Sequence, residues 1–352
     1  MSFTLIKNNF YLKLYEGDIN MADSTILKEL LKDYDLKHSK AIVDADNRKK
    51  ELYNRLPRLQ EIDDELNKYA IETAKSILSS NNSNLLIKLQ EKVHSLKEER
   101  NSILEKANKD LSYLLPIYEC SICQDTGYIT KNSSTSMCSC LKQKLLDIEY
   151  NNSNIGNLDK ENFKKFNINL YSDEVDENKY NSDISPRENI KSICREIKKF
   201  IKNFDDPSEK NLLFSGGTGL GKTFLSNCIV AELLAKGKTV LYQTAPVMLD
   251  NLIDELFDKT STGFFSKNLL SVDLLVIDDL GTETMNSMKF TEIYKVINTR
   301  LLNQNGKVTK TIISTNLDLQ GLFNTYDERI VSRFIGNYNI YRFFGDDIRF
   351  KK

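Results

Sequence analysis

The sequence predicts an α/β fold: a doubly wound, mainly parallel sheet, preceded by an α-helical hairpin and a small cysteine-bearing module. Three observations predict it. In the second half, short apolar runs alternate with helical patterns, as strand–helix–strand units require. From about Ser24 to Leu115, apolar residues recur at steps of three and four with almost no Gly. Between these regions four cysteines fall in the pattern C-x2-C-x14-C-x-C. The composition allows all three parts. The chain has 352 residues, enough for more than one domain, and 40% of them are hydrophobic. A net charge of −1 excludes a uniformly basic surface, so any nucleic-acid contact must use a local patch. No apolar run approaches the ~20 residues of a membrane helix, and the amino terminus has no apolar signal-peptide core before a small-residue cleavage site. A cytoplasmic protein without a membrane partner is expected.

Residues 1–23 read as a loosely attached extension, because Met21 opens a cleaner helical pattern than Met1. Residues 24–115 read as a coiled-coil-like, partner-binding region. One stripe is Leu52, Leu56, Leu59, Ile62, Leu66 and Tyr69; another is Leu86, Leu89, Val93, Leu96, Ile103 and Ala107. A first helix is expected before Pro57, a second to about Leu78, and a third from about Leu85 to Leu114. The polar cluster Ser79 to Asn84 should reverse the chain, making the last two an antiparallel hairpin.

Residues 116–150 contain Cys120, Cys123, Cys138 and Cys140 around a hairpin-length loop. Two close pairs of thiolates are what a tetrahedral Zn²⁺ site needs, and four protein ligands make such a site structural rather than catalytic. Disulfides and independent buried thiols are the alternatives; a cytosolic chain disfavours the first. Residues 151–185 are rich in Asn and Asp and read as a linker, although Phe163, Phe166, Ile168 and Leu170 suit docking onto the following domain.

That domain, residues 186–352, opens with an amphipathic helix from Pro186 to Asn203. The apolar run Asn211 to Ser215 reads as a strand, and Gly216-Gly217-Thr218-Gly219-Leu220-Gly221-Lys222-Thr223 follows it before a helix. The octet fills every position of G-x-x-x-x-G-K-[ST], whose backbone N–H groups cradle phosphates. ATP is the expected ligand, with Lys222 on its phosphates and Thr223 on Mg²⁺. On an exposed loop, Lys222 should be removable without unfolding the chain. The strand Leu274 to Ile277 ends in Asp278, placed for Mg²⁺, and Asp279, placed as general base. Further strands are Thr239 to Thr244, Lys310 to Thr315 with Asn316 after it, and Tyr338 to Phe344. Asn316 suits orientation of the lytic water. Arg329 and Arg333 lie four apart on one helix face, where a guanidinium supplied to a neighbour's triphosphate would stabilise charge. Phe264, Phe265 and Lys267 suit single-strand stacking in a loop, but a buried aromatic pair is the stronger reading.

The run Asn211 to Thr223, with Tyr242-Gln243-Thr244-Ala245-Pro246, Val276 to Gly281, Ile312 to Asn316 and Glu328 to Arg333, resembles the bacterial DnaC/DnaI type of replicative-helicase loader. The same AAA+ branch includes IstB-type transposition ATPases. The resemblance is strong from Pro186 to Lys352, and the helical, cysteine-bearing part is similar to that of loaders from low-GC Gram-positive bacteria. It implies an AAA+ ATPase that self-associates through its ATPase domain, binds single-stranded DNA and holds the hexameric replicative helicase by its amino-terminal region. A transposition helper is the alternative. By resemblance Lys222 and Thr223 are the Walker-A pair, Asp278 and Asp279 the Walker-B pair, and Asn316 the sensor residue. Arg333 is the arginine finger, and Arg349 the late arginine that approaches the nucleotide. Fewer than twenty residues follow Arg333, too few for a helical lid, which implies weak turnover by the protein alone.

Overall fold

Pro57 and Asn108 set the limits of the amino-terminal helices in the computed structural model, which describes residues 21–78, 83–131, 134–151, 158–261, 263–302 and 306–350. Helix α1 (Met21–Arg55) ends just before Pro57, whose ring fixes φ for the first position of α2 (Pro57–Leu78). Helix α3 (Ser83–Lys106) closes with Asn108 in the left-handed region, φ +53°. Lys109 N–H donates to the Leu104 carbonyl and Asn108 N–H to that of Glu105, the paired bonds of a Schellman stop. The third helix is therefore shorter than its apolar periodicity suggests, and Leu111–Leu114 forms a separate 3₁₀ turn. The expectation for residues 1–20, and the first part of the expected Ser79–Asn84 turn, fall outside the described residues.

The chain divides into two compact units, and the first is Lys28–Cys138. Its helices bury Leu52, Leu59 and Leu104 together, with Tyr53, Leu56, Ile103, Tyr113 and Leu114 packed around them. Helices α2 and α3 are tied by a fork from Arg58 to Glu99 (2.8 and 3.1 Å) and by Arg100 to Asp63 (3.1 Å). The fork is exposed and adds little; the leucines supply most of the stability. Strands β1 (Tyr128–Lys131) and β2 (Ser134–Met137) pair antiparallel beyond the first cysteine pair.

The second unit comprises Ser139–Lys352 together with the residues before Lys28. Helix α4 (Ser139–Leu146) buries Leu141, Leu145 and Leu146. Gln143 and Asn151 both donate to the Val240 carbonyl (3.0 Å each), and Tyr242 N–H donates back to Asn151 (2.9 Å). Residues 139–151 thus cover the open edge of the first sheet strand, as an edge with unpaired backbone groups requires. From Leu158 onward, where composition suggests a linker, Phe163, Phe166, Ile168 and Leu170 pack against the core and Tyr171 is buried within it. Few apolar residues suffice because each lands on an already apolar face.

Helix α5 (Pro186–Lys202) starts at a full capping box between Ser185 and Glu188. The rest alternates: β3 (Asn211–Ser215), α6 (Lys222–Ala235), β4 (Val240–Thr244), α7 (Ala245–Phe257), α8 (Phe264–Ser271), β5 (Leu274–Leu280), α9 (Ser287–Leu301), β6 (Lys310–Thr315), α10 (Leu319–Thr325), α11 (Glu328–Asn337) and β7 (Tyr338–Arg342). The strands run β4-β5-β6-β3-β7, every pair parallel. Period-two alternation sorts the core onto two faces. Leu212, Phe214, Val240, Tyr242, Leu274, Val276 and Ile312 face α5 and α6. Leu213, Leu241, Leu275, Ile277 and Ile313 face α7, α8, α9 and α11. Among the described residues no helix is long and apolar enough to cross a membrane.

Candidate nucleotide site

Strands β5, β6 and β3 are neighbours, so their carboxyl ends bring Asp278, Asn316 and the glycine loop together, where open parallel sheets bind ligands. The loop needs its glycines for two reasons. Gly216, Gly219 and Gly221 have φ of +146°, +70° and +86°, and other chain parts occupy the space a Cβ would need. At Gly216 it would lie 2.2 Å from the Phe343 carbonyl oxygen, at Gly219 2.0 Å from the Asp347 carboxyl, and at Gly221 2.4 Å from the Tyr171 hydroxyl. Tyr171 donates to the Leu220 carbonyl (3.0 Å), and Ile348 N–H to that of Gly219 (2.9 Å). The loop is clasped from both sides by segments far away in sequence.

Lys222 is 6% exposed, which corrects the expectation of an exposed loop lysine. Its ammonium donates to the carbonyls of Gly216 (2.6 Å) and Gly217 (2.7 Å) and to Asn316 Oδ1 (2.8 Å). Burial holds its pKa below the ordinary lysine value, with Asp279 and Asp278 opposing. Asp278 is 4% exposed and accepts from four donors. Thr223 Oγ1 (3.1 Å) and the Tyr242 hydroxyl (2.7 Å) donate to Oδ2; Ser314 Oγ and Asp279 N–H (3.1 Å) donate to Oδ1.

The backbone between the two aspartates is irregular. Pairing of β5 with β6 slips by one residue between Ile277 and Leu280, and Asp279 takes φ +55°. The bulge takes both aspartates out of the β6 pairing, while Asp278 stays in register with Thr244 of β4. Burial, then Asp278, raise the Asp279 pKa above the usual carboxylate value, and Lys222 opposes them. A carboxyl so placed is suited to taking a proton. Just beyond, the Glu283 carboxylate accepts from Gly281 N–H (2.9 Å) and from the Tyr326 hydroxyl, which fixes the turn.

The arginines are placed differently from one another. Arg333 is half-buried: it donates to Asn298 (2.8 Å) and the Tyr294 hydroxyl (2.8 Å), and stacks 4.7 Å from the Tyr294 ring centre. Arg329 is exposed and forked onto Asp327 (3.0 and 3.2 Å), at the rim of a cleft of about 620 Å³ lined by Phe290, Tyr294 and Tyr326. Arg349 is forked onto Asp347 (3.0 and 2.5 Å), the carboxyl that faces Gly219. Phe264 and Phe265 lie at the start of α8 rather than in a loop. Phe265 is buried and both rings pack near Tyr150, while Lys267 is exposed. Sequence reasoning missed Tyr171, Tyr242, Ser314 and Asp347. Three carried a signal: Tyr242 and Ser314 lie in runs that carry the resemblance, and Asp347 is an acid two residues before a singled-out arginine.

The protein's other cluster is the cysteine quartet. The Sγ atoms of Cys120, Cys123, Cys138 and Cys140 lie within 4.8 Å of one another, and Cys120 and Cys138 are 3.9 Å apart. None of the four is joined in a disulfide. About 3.8 Å is the edge of a tetrahedron built on Zn–S bonds of ~2.3 Å, so the donor set fits a soft tetrahedral ion. Left-handed Gln124 and Asp125 make the tight turn after the first pair. The buried Asp125 carboxylate accepts from Glu119 N–H (2.9 Å) and Cys120 N–H (2.8 Å), holding the knuckle in shape.

Residues 177–335 match the family model of the IstB-like ATP binding protein. This part of the chain is similar to IstB-like ATP binding proteins. Among curated proteins, the replicative helicase loader DnaC of Buchnera aphidicola subsp. Schizaphis graminum is 30% identical over 152 residues, which cover 42% of this chain and 59% of that protein. DnaC of Escherichia coli K12 is 29% identical over 142 residues, covering 40% and 56%. The chain therefore spans somewhat over half the length of these relatives. A crystal structure of the DnaC helicase loader aligns with 24% identity and a TM-score of 0.40, over 51% of this chain and 96% of that one.

Proposed function

We propose that the protein is an ATP-dependent loader that places a hexameric replicative DNA helicase onto single-stranded DNA. The observation that carries this reading is the division of labour along the chain. The ATP-binding domain is similar to helicase loaders, while Lys28–Cys138 is a separately cored helical unit with a cysteine knuckle. That unit exposes Leu36, Val43, Ile117 and Ile122, apolar groups suited to a protein partner.

In the nucleotide site, Lys222 leaves the Gly216 and Gly217 carbonyls to meet the phosphates. Thr223 and Asp278 offer the hard oxygens that suit Mg²⁺, Asp278 acting through water. The cation, when bound, neutralises charge on the phosphate oxygens. Asp279 accepts a proton from the attacking water, Asn316 orients that water, and Arg349 turns from Asp347 toward the nucleotide. Subunits associate through the ATPase domain, and an arginine of the Arg329–Arg333 pair reaches a neighbour's nucleotide. Arg329 is the more available; Arg333 acts only by leaving Tyr294 and Asn298. The cysteine quartet holds a structural Zn²⁺, and the protein works in the cytoplasm. The IstB description of the matched family favours a second reading, a helper ATPase in transposition.

Co-purification decides between them. The cognate replicative helicase should be retained by the full-length chain in ATP and by the Lys28–Cys138 unit extended through Cys140. Single-stranded DNA should bind the full chain with an affinity that falls steeply with salt. A helicase retained by neither the full chain nor its amino-terminal unit overturns the loader reading and leaves the transposition helper.

A further inference from the structure

We propose that Tyr242 is a positioning residue for the magnesium that accompanies the nucleotide, acting through Asp278 and Thr223. The inference rests on the nucleotide-site reading and deepens it. Tyr242 belongs to β4, on the sheet face that packs against α6, in an apolar cluster with Phe214, Val276, Ile312 and Leu225, and the carboxyls of Asp278, Glu161 and Asp279 lie near enough to act on it. A phenylalanine would fill the same space. A hydroxyl in such a layer is costly unless it is paired, and this one donates to Asp278 Oδ2 at 2.7 Å.

The consequence concerns Thr223. A hydroxyl has one proton and two lone pairs. The Thr223 proton is committed to the same Oδ2 (3.1 Å), which leaves its lone pairs for a cation. That commitment is directional only if the carboxylate cannot swing. Ser314 and Asp279 N–H hold Oδ1, so Tyr242 is the second holder of Oδ2 beside Thr223 itself. Removing the Tyr242 hydroxyl leaves Oδ2 held by the very group it must orient. The effect of Tyr242 passes through the carboxylate to which it donates. Removal of such outer partners typically weakens metal binding by about 10–100-fold.

The test uses the full-length chain and a fluorescent ATP analogue, titrated with Mg²⁺ and also measured in EDTA. Tyr242→Phe should need on the order of tenfold more Mg²⁺ for half-maximal analogue binding, with EDTA affinity and ligand-free melting close to wild type. An unchanged Mg²⁺ requirement overturns the proposal. An equal loss of affinity with and without Mg²⁺ also overturns it, because the hydroxyl would then support the pocket as a whole. A wild-type chain that binds no analogue removes the nucleotide reading and this inference together. Should Tyr242→Phe not fold, 3-fluorotyrosine at position 242 reads the same group. Its ¹⁹F signal should move when Mg²⁺ joins the analogue and not with the analogue alone; a signal indifferent to Mg²⁺ refutes the role.

Discussion

Replacing Gly216 by Ala places one methyl group where the chain has left room for none. The new Cβ would sit 2.2 Å from the Phe343 carbonyl oxygen, about 0.8 Å inside the 3.0 Å that real Cβ contacts respect. The oxygen cannot retreat easily: Phe343 follows β7 directly, and its N–H donates to the Ser215 carbonyl at 2.6 Å. A side chain at φ +146° is also strained, by about 1–3 kcal/mol. Overpacking adds about 1–3 kcal/mol. A total of about 3 kcal/mol corresponds to a fall in Tm of roughly 6–12 °C for a domain of this size. Gly336→Ala is the internal control. Gly336 lies in α11 with nothing within 4 Å of its Cβ position, so alanine should stabilise the helix by about 0.5–1 kcal/mol. Calorimetric scans of the two full-length variants should therefore move the transition of the unit that holds the glycine loop in opposite directions. A Gly216→Ala protein that melts with or above wild type would refute the reasoning, since neither the clasp by Phe343 nor the backbone strain would then be real.

Zinc should accompany the purified chain at about one equivalent, and Cys123→Ser should lose it and unfold the Lys28–Cys138 unit while sparing the ATP-binding domain. Structural zinc in small modules is worth on the order of 10 kcal/mol, and elemental analysis with a two-transition melt checks both points. Asp279→Asn should raise Tm at pH 7.5, and the gain should shrink as pH falls toward 4. The sign follows from the raised pKa of Asp279: the folded state binds the proton more tightly than the unfolded one, so wild-type stability declines as pH climbs from the unfolded carboxylate value through the folded one. A gain independent of pH would point instead to the preference of Asn for positive φ. Arg333→Ala should lower Tm, because it strips Tyr294 and Asn298 of their partner, whereas the exposed Arg329→Ala should melt like wild type and lose hydrolysis only under assembly conditions. Reversed outcomes for the two variants would exchange their roles.

Much of this protein was legible in local sequence because the signals there are local physics. The octet from Gly216 to Thr223 dictates its own turn, since three of its glycines sit at positive φ. Pro57, the Ser185–Glu188 box and the alternating apolar runs likewise set helix starts and sheet faces without outside help. The spacing of the four cysteines brought their sulfurs together because two tight turns and one hairpin suffice to do it. The clasp on the nucleotide loop was not legible. Tyr171, Phe343 and Asp347 lie 50 or more positions along the chain from the glycines they meet, and nothing near them in sequence records that approach. Nor was the burial of Lys222, or the holding of Asp278 by Tyr242 and Ser314, which depends on β4 and β6 flanking β5. Strand order is a property of the whole sheet: each strand's pattern says which face is apolar, and only the packed fold decides which side chains then meet.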